Sequence, residues 1–310
     1  MTATVTTRDE LDGRSAEEVH ALATEAASAD GVGALSEASR LALGASPAGT
    51  HHLLVHGPGR LVGYAQVWPD ASAELLVAPG ARRRGIGSAL WTAALGEGAA
   101  RVWAHGDLAA AQAFAAFRGL VGVRSLLKMG RPLTEADRTA RPLPDGYAAT
   151  TYADRSPQVA DPVAELQELN AAAFADHPEQ GRLTVADLLS RMDEPWFDPH
   201  GLLLVVDTDG TGAHSPGSVP VAFHWTKVEP GTDAGEIYVV GVRPAYQGRG
   251  LAGPLTDLGL AHLAERGCTE VILYVDGENA PARATYERAG LTVQTTDRMY
   301  APVAADDSAG

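Results

Sequence analysis

A glycine-rich loop that joins a strand to a helix occurs twice in this chain, and it restricts the possible folds more than any other feature. Residues 236–242 are rich in β-branched and aromatic side chains, the composition of a buried strand. They lead into Gln-Gly-Arg-Gly-Leu-Ala at 247–252, after which an apolar helix pattern begins. Backbone N–H groups at a helix start, approached without a Cβ, bind phosphate. The pattern predicts an anion site there.

The second copy of this plan lies in residues 73–88. A strand reaches Pro79, and Arg-Arg-Arg-Gly-Ile-Gly begins three residues later. Placing Gln247 on Arg82 also places Pro244 on Pro79. One short glycine pattern arises by chance, but two in the same register indicate a tandem repeat.

Strand and helix patterns alternate around both loops and predict an α/β fold with a mixed sheet in each of two domains. The expected domains are residues 1–130 and 146–310, joined by a proline-rich linker at 131–145. Helices are expected at 15–29, 36–43, 86–99, 109–117, 163–174, 184–192 and 280–289. Strands are expected at 52–55, 61–68, 75–77, 102–105, 202–206, 219–228, 236–242, 270–275 and 291–301, with a strand pair at 120–129. Ser15 is expected to cap the first helix.

Bulk composition excludes several classes of protein. A chain of 310 residues with 45% apolar side chains suits two ordinary domains, and a net charge of −15 disfavours nucleic acid as a partner. No apolar run is long enough for a membrane span, and the first residues lack a signal-peptide pattern. Cys268 is the only cysteine, which fits a reducing cytoplasm and a small buried filler rather than a nucleophile.

The two repeats differ at positions that could carry chemistry. The loop register, together with a match of Gly290-Leu291 to Gly119-Leu120, allows a comparison residue by residue. The second repeat then has Glu236, Asn279 and Tyr286 where the first has Ala71, Leu108 and Ala115. We therefore expect catalysis in the second repeat and a scaffold or cofactor-binding role for the first.

Both loops resemble the acyl-CoA pyrophosphate loop of the GNAT superfamily of N-acetyltransferases. Acetyl transfer needs a base for the amine, whose pKa is about 8, and a proton donor for the leaving thiolate. Glu236, at the start of its strand, is the candidate base, and Tyr286 is the candidate acid. By themselves a solvated glutamate and a core tyrosine are the commoner interpretations. The spacing of Asn279, Ala282 and Tyr286 resembles the CoA-arm motif of the superfamily and favours the catalytic one.

Four further segments resemble the mycothiol synthases, a family of actinobacterial tandem enzymes within that superfamily. They are His-Pro-Glu-Gln-Gly at 177–181, Trp-Phe-Asp-Pro-His-Gly-Leu at 196–202, Phe-His-Trp-Thr-Lys-Val at 223–228 and Gly-Glu-Ile-Tyr-Val at 235–239. The resemblance spans both repeats. It implies acetylation of the cysteinyl amine of a cysteinyl-glucosaminyl-inositol, with acetyl-CoA as cosubstrate.

The resemblance also implies the site residues. Contacts to the substrate would come from Glu37, Glu179, Lys227, Glu236 and Tyr274. One acetyl-CoA would be held by Leu75, Leu76, Val77, Arg83, Arg84, Gly85, Ile86, Gly87 and Ser88. The other would be held by Val240, Gly241, Val242, Gln247, Gly248, Arg249, Gly250, Leu251, Ala252 and Gly253, with its arm lined by Asn279, Ala280, Pro281, Ala282, Arg283 and Ala284.

Other interpretations remain open at this point. A tandem enzyme of the superfamily could acetylate another amine, such as an antibiotic or a protein N-terminus. A non-catalytic acetyl-CoA sensor is a second alternative, against which the pair Glu236 and Tyr286 argues. We predict no metal, since His177 and His224 have no third ligand spaced near them. We expect a monomer with a small-molecule amino-thiol pseudodisaccharide as its substrate.

Overall fold

The chain divides into two compact units. The structure, a computed structural model, describes residues 3–175, 180–208 and 218–303. Unit 1 comprises Met1–Leu127, Asp276–Ala280 and Thr295–Gly310, and unit 2 comprises Lys128–Val275 and Pro281–Gln294. The division therefore differs from the predicted one at both ends of the second repeat.

The segment predicted as a linker belongs to unit 2. Strand residues continue to Pro132, and a helical turn follows at Glu135–Arg138. The guanidinium of Arg131 donates to both carboxylate oxygens of Asp137, at 2.9 and 2.6 Å. Prolines and charges mark an interruption of regular structure, but they do not reveal that such an ion pair fixes the segment.

The first repeat begins with one long and one short helix before most of its strands. Its elements are β1 (Thr6–Arg8), α1 (Gly13–Asp30), α2 (Glu37–Leu41), β2 (His51–Gly57), β3 (Arg60–Val67), β4 (Ser72–Val77), α3 (Ile86–Gly96), β5 (Arg101–Ala104), α4 (Ala109–Phe117) and β6 (Leu120–Pro132). The expected cap at Ser15 is wrong: the carboxylate of Asp12 accepts from the Ser15 amide at 2.7 Å. The expected strand pair at 120–129 is also wrong, because β6 runs through without a turn.

The second repeat follows a similar order. Its elements are β7 (Tyr147–Thr151), α5 (Tyr152–Arg155), α6 (Pro162–Ala173), α7 (Val185–Met192), β8 (Leu202–Asp207), β9 (Val219–Lys227), β10 (Ala234–Val242), α8 (Ala252–Glu265), β11 (Glu270–Asp276), α9 (Ala280–Arg288) and β12 (Thr292–Pro302). Thr184 and Asp187 form the predicted reciprocal cap of α7, because each side chain accepts from the other residue's amide.

Each unit contains a mixed sheet, as predicted. In unit 1 the strand order is β1-β2-β3-β4-β5, followed by the parts of β12 and β6 that belong to this unit. In unit 2 the order is β11-β10-β9-β8-β7, with the unit's part of β6 beside β11. Both units include a parallel pair, β4 with β5 and β10 with β11. Glycine-led loops leave the ends of β4 and β10 in this arrangement.

Apolar cores cover the sheets and hold the loops in place. In unit 1, α1 and α3 pack on the sheet through Val19, Leu22, Leu90 and Trp91. In unit 2, α6 and α7 cover one group of buried aromatic and leucine side chains, which includes Trp196, Trp225 and Phe223. A second group in unit 2 joins Leu251 and Leu255, at the start of α8, to the strands. The start of each loop helix is therefore anchored by buried side chains.

Candidate active site

The two glycine loops share one backbone conformation. Arg83 and Gly85 have φ values of 62° and 83°, and their counterparts in the second loop, Gly248 and Gly250, have 75° and 79°. Each loop starts with a helical turn at a proline, Pro79–Ala81 or Pro244–Tyr246, and ends at the first residues of α3 or α8. Left-handed residues in such a turn direct successive N–H groups to one side, which makes an anion-binding concavity. The predicted register of the repeats is thus visible in the backbone.

The first residue of each loop ties it to the preceding strand. The guanidinium of Arg82 donates to the carbonyl of Val77 at 3.1 Å, and the side-chain amide of Gln247 donates to that of Val242 at 3.3 Å. Arg82 also makes two hydrogen bonds of 2.7 Å to the carboxylate of Asp30. Its charge is therefore matched inside unit 1.

Unit 1 contains a cavity of about 440 Å³ beside its loop. Pockets of this size accommodate cofactor-sized ligands. Eight of the nine residues expected to hold acetyl-CoA in this repeat line it, all except Arg84: Leu75, Leu76, Val77, Arg83, Gly85, Ile86, Gly87 and Ser88. Trp103, His105, Leu108 and Phe114 complete much of the wall.

Unit 1 also contains a carboxylate that the residue-by-residue comparison missed. Glu74 is the third residue of β4 and pairs in parallel register with Trp103, and Glu236 is the third residue of β10 and pairs with Ile272 in the same way. The expected counterpart of Glu236, Ala71, is instead in the turn before β4, with a φ of 66°. The comparison failed because β10 is three residues longer than β4, so the loop register does not extend back through the strand. An alignment of the strand starts would have found Glu74.

The carboxylate of Glu74 is already engaged. It accepts from the Ser36 amide at 2.9 Å and lies 3.3 Å from Nε2 of His105, whose Nδ1 lies 3.0 Å from Asp297. Burial would raise the pKa of Glu74, but contact with His105 and Ser36 outweighs it and lowers that pKa. Burial likewise opposes the charge on His105, but the two carboxylates raise its pKa to about 10. The imidazole is therefore a cation at neutral pH.

Strand register in unit 2 brings three predicted site residues onto one face. Glu236 on β10 lies opposite Lys227 on β9 and beside Ile272 on β11. Tyr274 is two residues beyond Ile272 and so shares its face, with 47% of its surface exposed. The opposite face is packed, since a Cβ on Gly235 would lie 2.6 Å from Leu263 of α8. Glu236, which is half-buried, thus lies on the face of β10 that is turned away from α8.

Lys227 is buried rather than solvated, which a charge at a strand end would not suggest. Only 6% of its side chain is exposed, and Nζ lies 2.9 Å from a carboxylate oxygen of Glu229. The ammonium also lies 4.9 Å from the ring centre of Trp196 and 5.3 Å from that of Tyr238. The carboxylate of Glu229 and the faces of Trp196 and Tyr238 help to offset the burial of this cation.

A β-bulge separates Glu236 from the end of its strand, Val240 to Val242, where acetyl-CoA is expected. The pairing of β10 with β9 shifts between Ile237 and Val239, which makes Tyr238 the extra residue. Bulges bend a strand and redirect side chains, and they are common beside active sites. The phenol of Tyr238 accepts a hydrogen bond of 2.9 Å from Arg191 on α7. Sequence alternation alone gave no sign of this bulge.

Tyr286 lies on α9 in unit 2 and is half-buried. Burial raises the pKa of its phenol, so the proton is retained at neutral pH. The predicted CoA-arm residues are divided: Asn279 and Ala280 belong to unit 1, and residues 281–284 belong to unit 2.

The remaining expectations have mixed outcomes. Glu37 is half-buried in the first turn of α2, directly after the cap Ser36. Glu179 and His177 lie outside the described residues. Cys268 is buried as expected, and burial raises its pKa. In the described part of the chain, no three acidic, histidine or cysteine side chains form a metal-binding group, and no helix could span a membrane.

Solved structures share this tandem fold across the whole chain. A GNAT-type N-acetyltransferase from Sphaerobacter thermophilus superposes with a TM-score of 0.64 and 24% identity, covering 96% of this chain and 94% of that one. A tandem GNAT protein of the clavulanic acid pathway superposes with a TM-score of 0.66 and 18% identity, covering 98% and 99% of the two chains. At these identities the likeness concerns the fold.

Sequence comparison gives the family. The sequence model of the Acetyltransferase (GNAT) family matches residues 18–120 and 164–291. Mycothiol acetyltransferases from Rhodococcus jostii and Nocardia farcinica are each 44% identical, over 94% and 96% of this chain and 96% and 97% of theirs. The one from Thermobispora bispora is 45% identical over 92% of this chain and 95% of its own. The chain therefore belongs to the GNAT family of acetyltransferases and, within it, to the mycothiol acetyltransferases.

Proposed function

We propose that this N-acetyltransferase moves the acetyl group of acetyl-CoA to the cysteinyl amine of cysteinyl-glucosaminyl-inositol and so forms mycothiol. One observation carries the proposal: in unit 2, Glu236 lies opposite Lys227 in the strand register, and the strand of Glu236 runs into a glycine loop whose left-handed residues suit a phosphate. One strand can in this way place an acceptor amine next to a CoA thioester. The names of the relatives support the choice of amine.

The reaction needs a proton transfer from the substrate ammonium and another to the leaving thiolate of CoA. Glu236 removes a proton from the substrate ammonium, and the free amine attacks the thioester carbon. The new C–N bond forms as the C–S bond breaks, and the thiolate of CoA takes the phenolic proton of Tyr286. The nitrogen then releases its second proton to solvent to give the neutral amide, and the tyrosinate regains a proton from solvent. Because burial raises the pKa of Tyr286, its proton is present when the thiolate leaves.

The substrate cleft combines charge with aromatic surface. The amine and many hydroxyl groups of the substrate suit Glu236, the ammonium of Lys227 and the exposed ring of Tyr274. Glu179 completes the proposed contacts of this unit through the family resemblance.

In unit 1 we propose that acetyl-CoA binds without turnover. The cavity and the loop at Arg83 to Ser88 suit the ligand. The carboxylate of Glu74, however, is already engaged by Ser36 and His105, and the buried methyl of Ala115 stands where the second repeat has Tyr286. With the base occupied and the acid replaced, acetyl-CoA bound in this unit would stabilise the fold by mass action.

The test is a thiol-release assay with acetyl-CoA and a panel of amines. We expect the cysteinyl-glucosaminyl-inositol to be acetylated with the highest kcat/KM and the product to be the N-acetylcysteinyl compound. No turnover with that amine, alongside good turnover of an aminoglycoside or a peptide N-terminus, would favour another amine. Binding of acetyl-CoA without turnover of any amine would favour a sensor.

A further inference from the structure

The buried cation of Lys227 lies against the rings of Trp196 and Tyr238, and neither ring has a part in the mechanism above. We propose that Tyr238 is a positioning residue, whose ring fixes the ammonium of Lys227 beside Glu236 and thereby sets the affinity for the acceptor amine substrate. This inference rests on the proposed function of the same site. It adds a residue that acts through Lys227 rather than on the reacting atoms.

The two rings lie next to each other, and both present a face to the ammonium. The ring centres of Trp196 and Tyr238 lie 5.0 Å apart at an angle of 58°, and Nζ of Lys227 lies within 5.3 Å of both. A cation at that distance is attracted by the negative face of each ring, and more strongly where water is excluded. With Glu229 as its ion partner, Lys227 has a defined position rather than a mobile chain end.

Tyr238 is itself held by its neighbours. Its ring meets that of Trp225 edge to face, with centres 5.5 Å apart, and its hydroxyl accepts from Arg191. The bulge inserts Tyr238 into β10 as an extra residue, so the direction of its ring does not follow strict strand alternation. A residue fixed in this manner can hold a neighbour precisely enough to affect binding.

The indole N–H of Trp196 supports a polar ligand at this place. Within the described residues this buried nitrogen has no hydrogen-bond partner, although a buried indole usually finds one. A substrate hydroxyl held by Lys227 would lie close to the same ring. The chemical class that fits is a polyhydroxylated amine, with oxygen atoms that accept from the ammonium.

Three variants separate positioning from packing. Tyr238→Phe keeps the aromatic face and removes the hydroxyl that meets Arg191, so KM for the amine should stay within about threefold of wild type. Tyr238→Leu removes the face, and KM for the amine should rise about 10- to 30-fold while KM for acetyl-CoA and kcat change little. Tyr152→Leu, which removes a ring of the same core that packs on Phe197, is the control and should leave KM unchanged.

A double-mutant cycle tests whether the effect passes through Lys227. In a Lys227→Met background, Tyr238→Leu should raise KM for the amine no further. Additive effects of the two changes would overturn the inference. If Tyr238→Leu does not fold, phenylalanine rings with increasing numbers of fluorine atoms at 238 keep the shape and weaken the negative face. KM for the amine should then rise with each fluorine, and a flat series would overturn the inference.

The proposed function fails separately from this inference. If the wild-type protein does not acetylate cysteinyl-glucosaminyl-inositol, the function is wrong. If it does, and the Tyr238 series leaves KM unchanged, only the role of Tyr238 is wrong.

Discussion

Oε2 of Glu74 lies 3.3 Å from Nε2 of His105, and this contact occupies the carboxylate that corresponds in unit 1 to Glu236. Asp297 approaches the other nitrogen of the imidazole and also accepts from the Gly106 amide at 2.7 Å. Two carboxylates and one imidazolium therefore form a buried, partly compensated group in unit 1. The contribution of this group to the free energy of unfolding therefore depends on the ionisation of His105 and Glu74.

Stability should fall in alkali because of His105. The folded-state pKa of about 10 lies above the ordinary 6.5, so this contribution is complete below pH 6.5 and is lost as pH rises towards 10. The loss amounts to at most about 1.4 kcal/mol per pH unit in that window. Urea unfolding of the wild type at pH 6.5 and 9.5 measures it.

His105→Gln is the control for that measurement. The variant should be less stable at pH 6.5, and its free energy of unfolding should fall less between the two pH values. Equal decreases in both proteins would show that His105 is not the titrating group. The lowered pKa of Glu74 acts at the other end, where stability is lost as pH falls below its ordinary 4.5.

Removal of the charge should affect activity at Glu236 and stability at Glu74. Glu236→Gln should lower kcat/KM at neutral pH by about 10²- to 10⁴-fold, the usual share of a general base, with partial recovery at high pH where the amine is already neutral. Glu74→Gln should lower the melting temperature and leave kcat within severalfold. Wild-type kcat/KM for Glu236→Gln across pH 6–9 would exclude Glu236 as the base.

Tyr286→Phe tests the proton donor. We expect kcat to fall by about 10²-fold, because the thiolate then leaves without a proton from the enzyme. The raised pKa of Tyr286 means that the wild type keeps this proton beyond pH 10, so the alkaline limb of its kcat profile should lie above that value. A pH profile of kcat for both proteins is the measurement. An unchanged kcat would assign the proton to water.

The two loops should respond differently to a carboxylate. Gly85 and Gly250 both have positive φ, which asparagine and aspartate tolerate better than most residues. Gly85→Asp should reduce the rise in melting temperature given by acetyl-CoA and change kcat severalfold or less. Gly250→Asp should nearly abolish turnover, because the charge opposes the pyrophosphate at the reacting site.

Asparagine at the same positions separates charge from backbone strain. Gly85→Asn and Gly250→Asn add a side chain of the same shape without the charge, so both should retain more binding than the aspartate variants. If Gly85→Asp is the change that eliminates kcat, the roles assigned to the two units are reversed.

Local patterns predicted the loops well and the strands between them less well. The register between the repeats holds at Arg83 and Gly248 because both must adopt the left-handed conformation that the turn requires. Going backwards from the loop, the register is lost because β10 is three residues longer than β4, and the bulge at Tyr238 accounts for one of the three. Glu74 was missed for this reason.

Side-chain environments were harder to foresee than positions. From the sequence pattern, the charge of Lys227 would be expected to be exposed to solvent. In the structure it is buried against Trp196 and Tyr238, which come from other segments of the chain. Likewise, the sequence near His105 does not indicate that Asp297 is its partner, because the two residues are 192 positions apart. Such partners become visible only when the fold brings distant strands together.

The place of β12 has a consequence for protein synthesis. Met299 pairs with Trp103 of β5, and the hydroxyl of Tyr300 donates to Asp107 at 2.6 Å, so unit 1 needs residues that the ribosome adds only after β7 to β11 of the second repeat. Until they emerge, β5 has an open edge that can pair with other nascent chains. The repeat translated first must therefore wait, and a fragment that ends at residue 130 would be an incomplete sheet rather than an independent domain.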